Sequence, residues 1–304
     1  MFIHKFQENI SQSLPVKGLS KIIGGRFIPC AVSSCISNLI IVVFPVLVLI
    51  ACERHTQTWK QMDMAESLMT AKPDSALIIL KNIPNSDIKG KEIAARYALL
   101  KSMALDKNCI DTTTFDILQP AIDYYIKHGT PDEQLRTYYY QGRIYQNQGD
   151  DDSAMQSFMN GSDLGESITD SLLLAHTLVA QGTLYFKQYK TGYFIHNNEE
   201  AAKLYGAIGK NILEIKSYTN ALDGYVMIDD KSAADSILSI CVPLVQKNPA
   251  GEAYLFPSLL SYTIELCSLD EIKAFLGLNR FFIGVNEYDS YEMLTFASWK
   301  TKVC

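Results

Sequence analysis

Cys52 is the residue of this 304-residue chain best placed for chemistry. It follows the thirteen-residue apolar run from Leu39 to Ala51 directly behind Leu49-Ile50-Ala51, and the chain turns polar at once with Glu53-Arg54-His55. A thiol is a nucleophile that can take an acyl group, and its neighbours decide whether it meets a lipid surface. The other candidates are weaker. Cys30 and Cys35 precede the run, while Cys109, Cys241, Cys267 and Cys304 are scattered with no Cys-x-x-Cys or zinc spacing, so they read as small core residues. His4, His55, His128, His176 and His196 have no His or Cys at ligand spacing. Asp150-Asp151-Asp152 and Asp229-Asp230 read as helix N-caps in turns rather than as acid/base pairs. Gly-rich phosphate loops, the Gly-x-Ser-x-Gly elbow and His-Glu-x-x-His do not occur. These residues predict no enzyme, no cofactor and no metal.

Three kinds of segment could present Cys52. Residues 1–51 carry Lys5, Lys17, Lys21 and Arg26 against Glu8 alone, ahead of the apolar run, which is the order of a secretory signal. An uncleaved membrane helix needs about 20 apolar residues, and reaching that length means including Ser33, Ser34, Ser37 and Asn38. A soluble core helix is a poor use of Ile40-Ile41-Val42-Val43-Phe44 followed by Pro45. The junction resembles the bacterial lipobox. That resemblance implies a lipidated Cys52, cleavage before it, and an anchor in the cell envelope, with the outer membrane favoured over the inner because Glu53 rather than aspartate follows.

Removing residues 1–51 leaves 23 Lys and Arg against 32 Asp and Glu, a net charge of −9. Phosphate neutralisation needs a basic face, so nucleic acid is not an expected partner.

The elements behind the chemistry are read from a repeat. Gln141-Gly142-Arg143-Ile144-Tyr145 returns forty residues later as Gln181-Gly182-Thr183-Leu184-Tyr185, then as Ala221-Leu222-Asp223-Gly224-Tyr225, and is foreshadowed by Lys101-Ser102-Met103-Ala104-Leu105. Leu135, Tyr138, Gly142, Tyr145, Ala154, Phe158 and Gly161 have the spacing of a helix pair in which small residues admit large ones. The spacing also predicts an insertion at Gly192 to Asn198, with the second helix starting at Glu199. Pairs are expected at both ends, at Trp59 to Leu80 with Pro73 opening a helix, and at Ser258 to Leu276. A domain boundary near Asn248-Pro249-Ala250-Gly251 is left open. The organisation is 1–51 signal or membrane segment, 52–57 tether, 58–277 repeat array and 278–304 irregular tail.

These positions resemble tetratricopeptide repeats, and Met62-Asp63-Met64-Ala65-Glu66-Ser67-Leu68-Met69 with Pro73-Asp74-Ser75-Ala76-Leu77 resembles the opening of tetratricopeptide-type lipoproteins and regulators of Bacteroidetes. The resemblance implies an all-α chain of stacked antiparallel helix pairs in a right-handed solenoid. It also implies a groove lined by Arg136, Tyr139, Arg143, Gln146 and Asn147, then His176, Val179, Thr183, Phe186 and Lys187, then Lys216, Thr219, Asp223, Val226 and Met227. Arg143, Lys187 and Lys216 would meet a carboxylate, and Tyr139, Phe186 and Met227 an apolar segment of a protein or peptide partner. The expected function is a membrane-anchored, non-catalytic scaffold. Two alternatives are a transmembrane regulator with a cytoplasmic segment from Met1 to about Phe27, and an enzyme or carbohydrate-binding lipoprotein.

Overall fold

The computed structural model describes residues 57–268 and 270–271. Contacts divide the chain into Met1–Gln57 and Thr58–Cys304, and the described residues belong almost wholly to the second unit. The leader, Cys52, the helix read at Leu269 to Leu276 and the tail 278–304 lie outside the described residues, apart from 270–271.

Among the described residues there are α-helices, short 3-10 turns and no strand. In chain order they are α1 (57–68), α2 (Pro73–Lys81), α3 (Lys91–Lys107), α4 (Gln119–His128), α5 (Pro131–Gln148), α6 (Asp151–Ser162), α7 (Ser171–Lys187), α8 (Thr191–Ala207), α9 (Asn211–Met227), α10 (Lys231–Lys247) and α11 (Glu252–Leu266). Consecutive helices pack against each other. The forty-residue period is kept in the backbone: α3, α5, α7 and α9 begin at 91, 131, 171 and 211, and α6, α8 and α10 at 151, 191 and 231. From α7 to α10 every helix is 17 residues long.

A shared turn keeps this spacing. Cys109, Gly149, Tyr189, Gly209 and Asp229 all adopt φ between 55° and 79° just beyond a helix end. At each, the left-handed residue's N–H bonds to the carbonyl three residues back, and the next N–H to the carbonyl five residues back, as in Gly149 to Gln146 at 3.0 Å and Asp150 to Tyr145 at 2.9 Å. Left-handed backbone costs an ordinary residue about 1–2 kcal/mol. Tyr189 and Cys109 therefore hold this geometry because the two hydrogen bonds and the packed flanking helices impose it. The following helices are started by side chains. Asp150, Asp170 and Asp230 each accept the backbone N–H three residues on at 3.0 Å, as expected for the first and last of these, and Thr130 forms a reciprocal capping box with Glu133.

Small residues admit large ones where the pattern placed them. A Cβ on Gly142 would lie 2.5 Å from the Phe158 ring, and one on Gly161 3.1 Å from Leu135. The buried apolar side chains form a succession of small cores, each drawing on neighbouring helices: Met62, Leu80 and Leu100 in α1 to α3, Leu118, Tyr125 and Tyr140 around α3 to α5, Phe158 and Leu184 in α6 and α7, Ala175 and Tyr205 in α7 and α8, and Leu222, Ile237 and Leu255 in α9 to α11.

Two expectations are corrected. No insertion interrupts 192–198, because α8 is continuous from Thr191. Asn197 and Asn198, which look like loop residues, are buried. Asn198 occupies the place Phe158 holds one unit earlier, opposite Gly182; its amide donates to the Phe194 carbonyl at 2.9 Å and its oxygen accepts from Asn220 at 2.9 Å. The segment 249–251 is a 3-10 turn, and its Gly251 packs so closely on α9 that a Cβ would lie 2.5 Å from Ile215. It joins α10 to α11, which itself begins at Glu252 rather than Ser258 and carries Pro257 inside it.

Candidate functional site

The residues expected to meet a partner sit on the first helices of the pairs, where the period puts Arg96, Arg136, His176 and Lys216 at equivalent places. Arg96 lies over the Trp59 ring at 4.8 Å and bonds to Asp63 at 2.7 Å and Glu66 at 2.8 Å. Glu66 also takes Arg136 at 2.9 Å, and the other end of that guanidinium reaches Asp170 at 3.2 Å. A chain of charges thus runs Asp63, Arg96, Glu66, Arg136, Asp170, tying α1, α3 and α5 to the cap of α7. Burial works against the Arg136 charge, and the Glu66 and Asp170 carboxylates more than offset it. The chain into α7 is fixed by Asp132, which accepts the N–H groups of Thr169 at 2.8 Å and Asp170 at 3.0 Å and the Thr169 hydroxyl.

The remaining α5 residues are also engaged. Arg143 donates to Asp106 at 3.2 Å and to Gln146 at 3.0 Å, so the structure brings Arg143 and Gln146 together. Asn147 donates to the Thr112 carbonyl at 3.1 Å, pinning the segment between α3 and α4 onto α5. Tyr139 stands 5.9 Å from the Phe158 ring, and burial pushes its phenol up to about 12. On α7, Thr183 donates to the Val179 carbonyl at 3.0 Å, Lys187 pairs with Asp151 at 2.9 Å, and Phe186 is 46% exposed with its ring 5.1 Å from Phe194. On α9, Lys216 lies over the Tyr254 ring at 5.6 Å, Thr219 is buried and bonded to the Lys216 carbonyl, and Val226 is buried. Asp223 takes a hydrogen bond from Ser258, and Met227, one turn further on the same face, is 51% exposed.

His176 faces Tyr205, whose hydroxyl lies 2.7 Å from Nδ1. Burial, helped by nearby Lys107, lowers the imidazole from 6.5 to about 4, against the pull of Asp170 and Asp106. Between these two values the unfolded chain binds a proton that the folded chain refuses. Folding stability is therefore expected to be complete above about pH 6.5 and to fall as the pH drops towards 4. Urea titrations across that window should show the slope, and His176→Leu should flatten it; an unchanged slope in the variant would contradict the assignment.

The sequence did not indicate the acids that engage these cations, Glu66, Asp106, Asp151 and Asp170, because nothing local pairs them. It also passed over Tyr189 and Tyr193, exposed by 89% and 61% at the turn between α7 and α8, where Tyr193 stacks on Tyr185 at 4.9 Å. The left-handed turn position shared with Gly149 is the signal that points to Tyr189.

Among the described residues no group of three or more His, Cys, Asp or Glu side chains could hold a metal ion, and no helix is long and apolar enough to cross a membrane. Cys109, Cys241 and Cys267 are free thiols, Cys241 being buried and pushed up to about 12 by that burial. The described residues define an all-α, repeat-like series of helix pairs whose first helices carry the candidate surface. No protein-family model matches the chain, and neither a curated protein nor a solved structure does.

Proposed function

We propose that this chain is a lipid-anchored scaffold of the bacterial cell envelope, in which a right-handed, tetratricopeptide-like solenoid holds a protein or peptide partner and performs no chemistry. The forty-residue helix-pair period carries the reading. Units that bury their apolar faces only by stacking on neighbours leave a long row of first-helix side chains for a partner. Phe186 and Met227, exposed on successive first helices, suit that role. The anchor is the acylated Cys52, with the outer membrane as the favoured site, and the step from architecture to function is an analogy.

Metabolic labelling with a palmitate analogue, comparing the wild type with Cys52→Ser, tests the anchor. Label is expected on the wild type and lost from the variant, with a mature amino terminus at Cys52. An unlabelled protein retaining residues 1–51 would overturn it and favour a transmembrane regulator of a signalling partner.

A further inference from the structure

Of the cations expected to receive a carboxylate, Arg143 is committed to Asp106 and Lys187 to Asp151, and the groove residue Arg136 is held by Glu66 and Asp170. Lys216 lies over the Tyr254 ring. Asp223 differs from all of them. It is half-buried where α9 meets α11, its hydrogen-bond partner is the neutral Ser258, and among the described residues it has no ion pair. Burial raises its carboxyl above the ordinary value, so the folded chain pays for keeping this charge at neutral pH.

Exposed apolar surface adjoins this acid. Met227 lies one helical turn along the same face and Ile228 follows it, both about half exposed. Met227 therefore adjoins one unpaired, partly desolvated carboxylate. A guanidinium bonds such a group with two parallel N–H donors and is less costly to desolvate than an ammonium. Methionine adapts to many apolar shapes.

We infer that Asp223 anchors a docking surface for a partner segment that carries arginine beside a large apolar side chain, the arginine pairing with Asp223 and the apolar side chain covering Met227. This rests on the scaffold reading and specifies its ligand. It reverses the charge expected of the partner from sequence, because Arg143 and Lys187, two of the three cations that suggested an acidic ligand, already have acids of their own, and the third, Lys216, lies over an aromatic ring.

Binding of fluorescently labelled twelve-residue peptides to the full chain, followed by anisotropy, provides the test. Three peptides share a Gly-Ser background and contain Arg-Leu, Gln-Leu or Glu-Leu pairs. The Arg-Leu peptide is expected to bind at least tenfold more tightly than the other two. Asp223→Asn should erase that preference while keeping the Ser258 partner and a melting temperature at pH 7 no lower than the wild type. Asp163→Asn, which removes the same charge from an exposed helix end, should preserve it. Met227→Ser should weaken the Arg-Leu and Gln-Leu peptides alike. An Arg-Leu preference that survives Asp223→Asn, or is lost equally in Asp163→Asn, would overturn the assignment. Tighter binding of the Glu-Leu peptide would overturn it while leaving the scaffold reading intact, and binding of none of the three would count against both.

Discussion

Truncating Phe158 to alanine is expected to destabilise the protein by about 3–5 kcal/mol, the range for removing a buried aromatic ring. The upper part of that range applies because the site has little means of collapsing. Phe158 has no exposed surface, and one wall of its pocket is the backbone of α5 at Gly142, which has no side chain to move into the space. Ala154 and Leu184 form much of the remainder, within a core that also touches Tyr139 and Tyr145. The converse substitution is informative. Gly142→Ala would put a methyl 2.5 Å from the ring, and overpacking of this kind costs about 1–3 kcal/mol. Gly142→Ala combined with Phe158→Leu should lose less than the two single changes together, since the smaller side chain admits the methyl. Urea unfolding followed by circular dichroism measures all three. A neutral Gly142→Ala would contradict the close packing of α5 on α6.

Replacing Arg136 with methionine is expected to cost about 2 kcal/mol, near the value of charge-assisted hydrogen bonds and reduced from that of a fully buried pair because the side chain keeps some contact with water. Methionine retains much of the stem's packing, so the loss reports the guanidinium. Two carboxylates lose their shared cation at once: Glu66, seventy residues away, and Asp170, which also caps α7. Arg136→Lys should recover only part of the loss, because an ammonium does not span both acids with a rigid fork. A double-mutant cycle with Asp170→Asn isolates that half of the bridge. Additive single losses would show that Arg136 and Asp170 act independently. Protection of α7 amides from hydrogen exchange should fall in Arg136→Met, because the acid that caps this helix is no longer steadied.

Gly142 and Gly182 made the forty-residue period legible, since a helix pair that packs closely cannot put a side chain where the partner's large residue enters. Pro73 and the aspartates at 150 and 230 likewise announced helix starts through chemistry confined to a few neighbouring residues. The misreading at 192–198 has a definite cause. Asn197 and Asn198 interrupt the apolar pattern, yet they belong to the core because Phe194 and Asn220 satisfy the Asn198 amide, and Asn220 lies in the next helix. The partner-facing residues were legible as positions but not in their state. Arg143 looked available because Asp106 is thirty-seven residues earlier, and Lys187 because Asp151 is thirty-six earlier. Pairings at that distance follow from how successive units stack, which no local string specifies. Asp223 is the converse: legible in the sequence as a groove position, it is set apart from the others only by the absence of an ion pair among the described residues.

The recurring left-handed turn has a consequence for how such a chain changes length. Because α7, α8 and α9 each hand over to the next helix through the same three-residue link, the backbone at one junction closely resembles that at another. Excising residues 171–210 would join the cap at Asp170 directly to α9, and duplicating them would set a second α7 behind the three-residue link that now precedes α9. Gain or loss in whole multiples of forty preserves every turn, whereas a single-residue slip would rotate all later side chains by about 100° relative to their supports. Length in this protein is therefore a quantity that can be counted in blocks.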